Sequence, residues 1–168
     1  TAPEAQTLAR QYNARVYSDL AALLADVDVV DICAPTHLHH PMVLQAAVAG
    51  KHIVCEKPLA RTVEQGQELV DWAERNGLVF QVGHLERFNP AVEAVENMIS
   101  APKFIEVQRL GSFSARSLDI DVVLDLMIHD LDIIAALIKD EVRLIRASGI
   151  HVLSDKVDIA TARLEFRS

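Results

Sequence analysis

Cysteine is scarce. The 168 residues hold only Cys33 and Cys55. Two thiols cannot build a disulfide framework, and both fall in apolar runs that read as buried strands, which suits a reducing compartment. Positive charge is also in short supply, with 16 Lys and Arg against 24 Asp and Glu, a net charge of -8. An acidic surface disfavours nucleic acid and anionic membranes as partners, although a local pocket for a small anionic ligand can still be basic. No apolar run reaches the roughly 18 residues that a membrane-spanning helix needs. There is no basic and apolar leader, no internal repeat and no low-complexity segment, so a cytoplasmic protein is expected. What is present is a hydrophobic share of 51%, enough for one domain with a core, or for one domain and part of a second. Both ends look cut from something larger: the chain opens at Thr1 in a helical pattern and stops at Ser168 on a strand-like run.

Local patterns give the order of elements. Thr1-Ala2-Pro3-Glu4 has capping-box spacing, predicting a helix to about Tyr12, and Ser18 can cap a second helix to Leu24. Residues 27–33 read as a buried strand broken at Ala34-Pro35-Thr36, with Pro41 in the first turn of a helix that Gly50 closes. Residues 52–55 form the next strand. Thr62 to Gln65 is a capping box opening a helix that stops at Gly77, and residues 78–82 form a third strand. Strand, helix, strand, helix, strand at this spacing predicts an α/β fold with a parallel sheet over residues 1–87. Asn89-Pro90 then caps a helix to about Ile99, followed by a strand over 104–110, one long helix over 122–138, and strands over 142–153 and 157–166. That rhythm predicts part of an α+β domain with a largely antiparallel sheet over 88–168.

Four segments can carry chemistry. Ala34-Pro35-Thr36-His37-Leu38-His39-His40 follows a parallel strand, at the edge where open α/β sheets bind ligands. It reads either as a polar loop with a histidine cap or, through His37 and His39, as a metal pair of the kind found in hydrolases. In Glu56-Lys57-Pro58 the proline restricts Lys57 to an extended conformation, so its ammonium is aimed, either into a salt bridge or into a pocket. Asp125, His129 and Asp132 fall on one face of an otherwise apolar helix, where Asp125 can fix the tautomer of His129; a self-satisfied buried pair is the alternative. Gly83-His84-Leu85-Glu86-Arg87-Phe88-Asn89-Pro90 lies at the crossover between the two patterns, where Arg87 can bind phosphate or carboxylate, or form an interdomain salt bridge.

Taken together and in order, these motifs resemble the Gfo/Idh/MocA oxidoreductase family. The resemblance rests on Ala34-Pro35-Thr36-His37-Leu38-His39, Ala49-Gly50-Lys51-His52, Glu56-Lys57-Pro58-Leu59-Ala60, and Asp125 with His129. It covers essentially the whole chain and implies a partial Rossmann nucleotide-binding domain over residues 1–87. Gly83-His84, Arg87 to Pro90 and Arg116 to Val122 are most similar to members that oxidise a UDP-sugar.

The resemblance implies a hydride transfer from a sugar or nucleotide-sugar ring carbon, C3, to NAD or NADP. It implies catalytic roles for Lys57, His129 and Asp125: a base, a stabiliser of the developing oxyanion and an orienting carboxylate, with Lys57 and His129 both candidates for the base. It places Pro35, Thr36, His39, Glu56 and Lys57 against the cofactor, and Arg87 and Asn89 against the substrate, with no metal. A homo-oligomer, dimer or tetramer, is implied as well. The departure from the family pattern is the missing Gly-x-Gly-x-x-Gly loop, which would grip the cofactor pyrophosphate. The isolated chain is therefore expected to bind dinucleotide poorly. A metal-dependent hydrolase and a non-catalytic nucleotide-binding member are the alternatives.

Overall fold

The computed structural model describes residues 3–111 and 120–167. Thr1 of the expected capping box, and Arg116 to Asp119 of the UDP-sugar-like stretch, lie outside the described residues. The chain divides into two compact units, Thr1–Gly83 and His84–Ser168.

The first unit is a parallel three-stranded sheet with helices. Its elements are α1 (Pro3–Tyr12), α2 (Leu20–Asp26), β1 (Val29–Ile32), α3 (Thr36–Val48), β2 (His52–Cys55), α4 (Val63–Arg75) and β3 (Phe80–Val82). The strand order is β1-β2-β3. Val30 pairs with Ile53 in one parallel ladder, and Ile53 with Phe80 in the other. Such connections need a crossover, and α3 and α4 supply it. The core is aliphatic: Ile32, Ile53, Val43 and Leu69 are each buried, with Ala46 and Cys55 between them. Gly50 and Gly77 follow α3 and α4 with φ of +70° and +63°. In that left-handed conformation they close the helices, as a residue with a side chain does only at a cost.

Three local expectations are corrected here. Asp19, and not Ser18, caps α2, its carboxylate accepting from the Ala22 amide at 3.0 Å. Helix α3 starts at Thr36, so Pro41 lies inside it. The Leu38 amide already closes a turn onto the Pro35 carbonyl at 2.8 Å. The one bond that Pro41 cannot make falls at exposed His37, where water can serve the carbonyl. Cys33 lies just past β1 and is exposed, whereas Cys55 is buried. Burial pushes the Cys55 thiol up to about 12, with the negative charge of Glu56 adding to it. By contrast, Thr62 does cap α4, accepting from the Gln65 amide at 3.3 Å.

The second unit contains a 3-10 turn (Leu85–Phe88), α5 (Pro90–Met98), a π turn (Val123–Met127), α6 (Ile128–Ile138) and an antiparallel hairpin of β4 (Val142–Ile150) and β5 (Ile159–Phe166). Asn89 caps α5, accepting from the Ala91 amide at 3.0 Å. Residues 104–110 form no strand, because no neighbouring strand among the described residues pairs with them, and Phe104 and Leu110 are exposed. The helix expected over 122–138 is not continuous α-helix: its first part is the π turn. Among the described residues, no helix is long and apolar enough to cross a membrane.

The hairpin loop is tied by one carboxylate. Asp158 accepts from the amides of Val152, Leu153 and Ser154 at 2.8, 2.7 and 3.0 Å, and from the Ser154 hydroxyl at 2.8 Å. The Val152 amide, followed by that of Leu153, holds the carboxyl far below its ordinary value of 3.8. A depressed folded value means that the stabilisation is full above the ordinary value and is lost as pH falls toward the folded one. The protection factors of the loop amides, relative to the unstructured chain at the same pH, are therefore expected to stay high at neutral pH and to fall only as pH drops below about 4. Asp158→Asn should show the unprotected behaviour at every pH. Equal protection in the two proteins at neutral pH would count against this role.

Candidate active site

Parallel strands end together, so the turns that leave β1, β2 and β3 converge on one edge of the first unit's sheet. Main-chain bonds hold them there. The Glu56 amide donates to the Ile32 carbonyl at 3.0 Å, and the Gly83 amide to the Cys55 carbonyl at 2.8 Å. This edge brings together Pro35, Thr36, Glu56 and Lys57. Thr36 opens α3 and is buried, in the first turn, whose amides have no partner within the helix. Glu56 folds back on its own turn, accepting from the Lys57 amide at 3.2 Å. Gly83 makes room for it: a Cβ there would sit 3.0 Å from the Glu56 carboxyl carbon. Lys57 is half-buried and precedes a cis proline, Pro58.

His39 is placed differently from the others. It is buried, with Nδ1 2.8 Å from the Pro58 carbonyl oxygen and Nε2 2.7 Å from that of Ala34. Both ring nitrogens are thus engaged by the main chain of the unit. His37 is exposed, and His40 pairs with Glu68 of α4 at 2.9 Å. Among the described residues, no group of three or more His, Cys, Asp or Glu is arranged to hold a metal ion. The reading of His37 and His39 as metal ligands therefore lacks its donor set.

In the second unit, His129 stands in the first turn of α6, immediately after the π turn that carries Asp125. Single π turns occur often at functional positions, because the widened turn re-aims side chains. Asp121 fixes the start, its carboxylate accepting from the Leu124 amide at 3.0 Å. His129 and Asp125 are half-buried and each engages in interactions with its surroundings.

Two arginines grip the helix that carries His129. Arg109 donates through Nε and Nη2 to the buried Asp130 at 3.1 and 2.7 Å. Arg87 donates to Asp132 at 2.7 and 2.5 Å. Each carboxylate raises the pKa of its arginine, chiefly through the hydrogen bond. His84 Nδ1 is 4.0 Å from the same Asp132 carboxylate. Arg87, expected against substrate, is thus committed to an ion pair within its own unit. Asn89 is engaged as the α5 cap and donates to Glu86 at 3.3 Å. Sequence reasoning missed Arg109 and Asp130. An aspartate embedded in the apolar run after His129 was the available signal, since a buried carboxylate requires a partner.

The residues at the sheet edge suit one end of a nicotinamide dinucleotide. The observation behind this is the Glu56 carboxylate, an acceptor for hydroxyl groups, lying in the space that a Gly83 side chain would crowd. Among the described residues, no glycine-rich loop for the pyrophosphate is present.

Comparison with known proteins identifies the family. Residues 1–84 match the family described as an oxidoreductase family with an NAD-binding Rossmann fold. The chain is 40% identical over 162 residues to UDP-N-acetylglucosamine 3-dehydrogenase of Acidithiobacillus ferrooxidans, which covers 96% of this chain and 52% of that protein. A solved structure of that enzyme superposes with a TM-score of 0.92 at 38% identity, covering 99% of this chain and 56% of the other. D-glucoside 3-dehydrogenase of Escherichia coli is 43% identical over 88 residues, 51% of this chain and 25% of that protein. The chain spans about half the length of the Acidithiobacillus relative. It belongs to the Gfo/Idh/MocA family of oxidoreductases, with their NAD-binding Rossmann fold.

Proposed function

We propose that the intact protein to which this chain belongs oxidises the C3 hydroxyl of a nucleotide sugar, with UDP-N-acetylglucosamine the first candidate, to a ketone. The observation that carries this reading is the 40% identity to a UDP-N-acetylglucosamine 3-dehydrogenase over 96% of the chain, with Lys57, Asp125 and His129 all present. NAD or NADP, when bound, supplies the hydride acceptor. The chain's own residues do the rest. Lys57 hydrogen-bonds the reacting oxygen and stabilises the charge that grows on it as the proton leaves. His129 accepts that proton, and Asp125 holds the imidazole in the accepting orientation. Pro35, Thr36 and Glu56 form the cofactor edge. Arg87 and Asn89 act on the substrate indirectly, by fixing the segment between β3 and α5. The exposed β4 strand, with Leu144 and Ile150 on one face and Ile145 on the other, suits pairing between subunits in a homo-oligomer.

The test is to supply the intact protein with NAD or NADP and a panel of UDP-sugars and free glucosides, and to follow the absorbance of reduced nicotinamide. Reduction with UDP-N-acetylglucosamine in preference to free glucosides is the expected result. Tight dinucleotide binding without turnover on any sugar would overturn the reading in favour of a non-catalytic nucleotide-binding protein.

A further inference from the structure

His39 is the fourth residue of α3 and is 1% exposed. Its two ring nitrogens face two carbonyl oxygens, those of Pro58 at 2.8 Å and Ala34 at 2.7 Å. A main-chain carbonyl only accepts. A neutral imidazole has one N–H, so it satisfies one of these oxygens and sets a bare lone pair against the other. An imidazolium has two N–H donors and satisfies both. The two distances also fall in the range of charge-assisted N–H···O bonds, about 2.7–2.9 Å.

The geometry points to His39 as a positioning residue: a doubly protonated clasp between the turn after β1 and the turn after β2. Through Ala34 it fixes the approach to Thr36, and through Pro58 it fixes the residue that follows Lys57. The inference rests on the reading of Lys57 as a catalytic group given above. A buried cation is costly unless its surroundings compensate. The ionisable groups on the elements packed about α3 are Asp31 in β1 and Cys33 just past it, His52 and Cys55 in β2 with Glu56 and Lys57 just past it, and Glu64, Glu68, Asp71 and Glu74 with Arg75 on α4; His37 and His40 share α3 itself. Carboxylates outnumber cations in this set. Two of them, Asp31 and Glu56, act directly on the buried Cys55. The two carbonyl oxygens, one at each ring nitrogen, are the compensating groups that the geometry supplies.

The clasp has a spectroscopic signature. In the intact protein labelled with nitrogen-15 in its histidines, both ring nitrogens of His39 are expected to carry protons at neutral pH, assigned through their proximity to Ala34 and Pro58 in the unsubstituted protein. A bare ring nitrogen would overturn the clasp, and this readout needs no variant to fold. In His39→Gln the side chain offers one donor group where two carbonyls wait. Its kcat is expected to fall about tenfold, with dinucleotide affinity changed less than about twofold and cooperative unfolding retained. An unchanged kcat would overturn the positioning role. Absence of turnover in the unmodified protein would instead count against the proposed reaction. The rate at which an amine reagent labels Lys57 then decides the clasp: a severalfold difference from His39→Gln is expected, and equal rates would sink it.

Discussion

Lys57→Ala is expected to lower kcat of the intact protein by about two to three orders of magnitude, the usual loss when a donor to a developing oxyanion is removed. Dinucleotide affinity should change far less, because Thr36 and Glu56 stay in place at the sheet edge. His129→Ala is expected to cost about two to four orders of magnitude, the range for general base catalysis. The two variants differ in their pH behaviour. If His129 accepts the proton, Lys57→Ala keeps the acid limb of the kcat profile, whereas His129→Ala loses it. Steady-state kinetics across pH with each variant checks this. Should the limb vanish in Lys57→Ala and persist in His129→Ala, the two roles are exchanged and Lys57 is the base. Wild-type turnover in either variant removes that residue from the mechanism.

The second large effect concerns the fold around His129. Asp130 is 8% exposed and takes the Arg109 guanidinium in a two-point hold. Asp130→Ala leaves that guanidinium, in a site only about one-third exposed (35%), without its acceptor. Hydrogen bonds to charged groups contribute about 1.5–3 kcal/mol, and an unpaired buried partner adds to the loss. A destabilisation of about 2–3 kcal/mol is expected, the exposed part of Arg109 limiting it. Urea unfolding of the intact protein measures it. Arg109→Ala and the double variant complete the cycle, in which the double should cost less than the sum of the singles. Strict additivity would show that the pair does not act as a unit. The helix start that carries His129 depends on this hold, so kcat should fall along with stability.

The first unit was readable because its signals are local. Valine-rich runs bounded by Pro and Gly mark β1 to β3, and Thr62 announces α4, as Asn89 announces α5 in the second unit, through capping chemistry that a few neighbouring residues decide. The misplacements have a common cause. Pro41 looked like a first-turn residue, but a proline five residues into a helix is tolerated where the carbonyl it leaves unpaired faces water. The strand expected over 104–110 had suitable residues and no ladder partner, and a strand is a property of pairs. The π turn carries no pattern of its own, since Val, Leu, Asp, Leu and Met suit an α-helix equally well.

The site was legible in the same uneven way. Thr36, Glu56 and Lys57 could be placed on one edge from topology alone, because parallel strands leave no other place for their following turns. The commitment of Arg87 to Asp132, of Arg109 to Asp130 and of both His39 nitrogens to carbonyls could not. These are long-range pairings in which several charged residues compete for each partner, and the outcome depends on which helix face turns inward.

The π turn over Val123–Met127 gives the helix one residue more than its turns require. The angular phase between Asp125 and His129 is therefore written in chain length as well as in side-chain identity. No substitution resets it, since each replaces one residue by another. A one-residue deletion between Asp125 and His129 restores the α repeat and leaves the two side chains three positions apart instead of four, so their angular offset about the axis changes while every residue of the motif remains present.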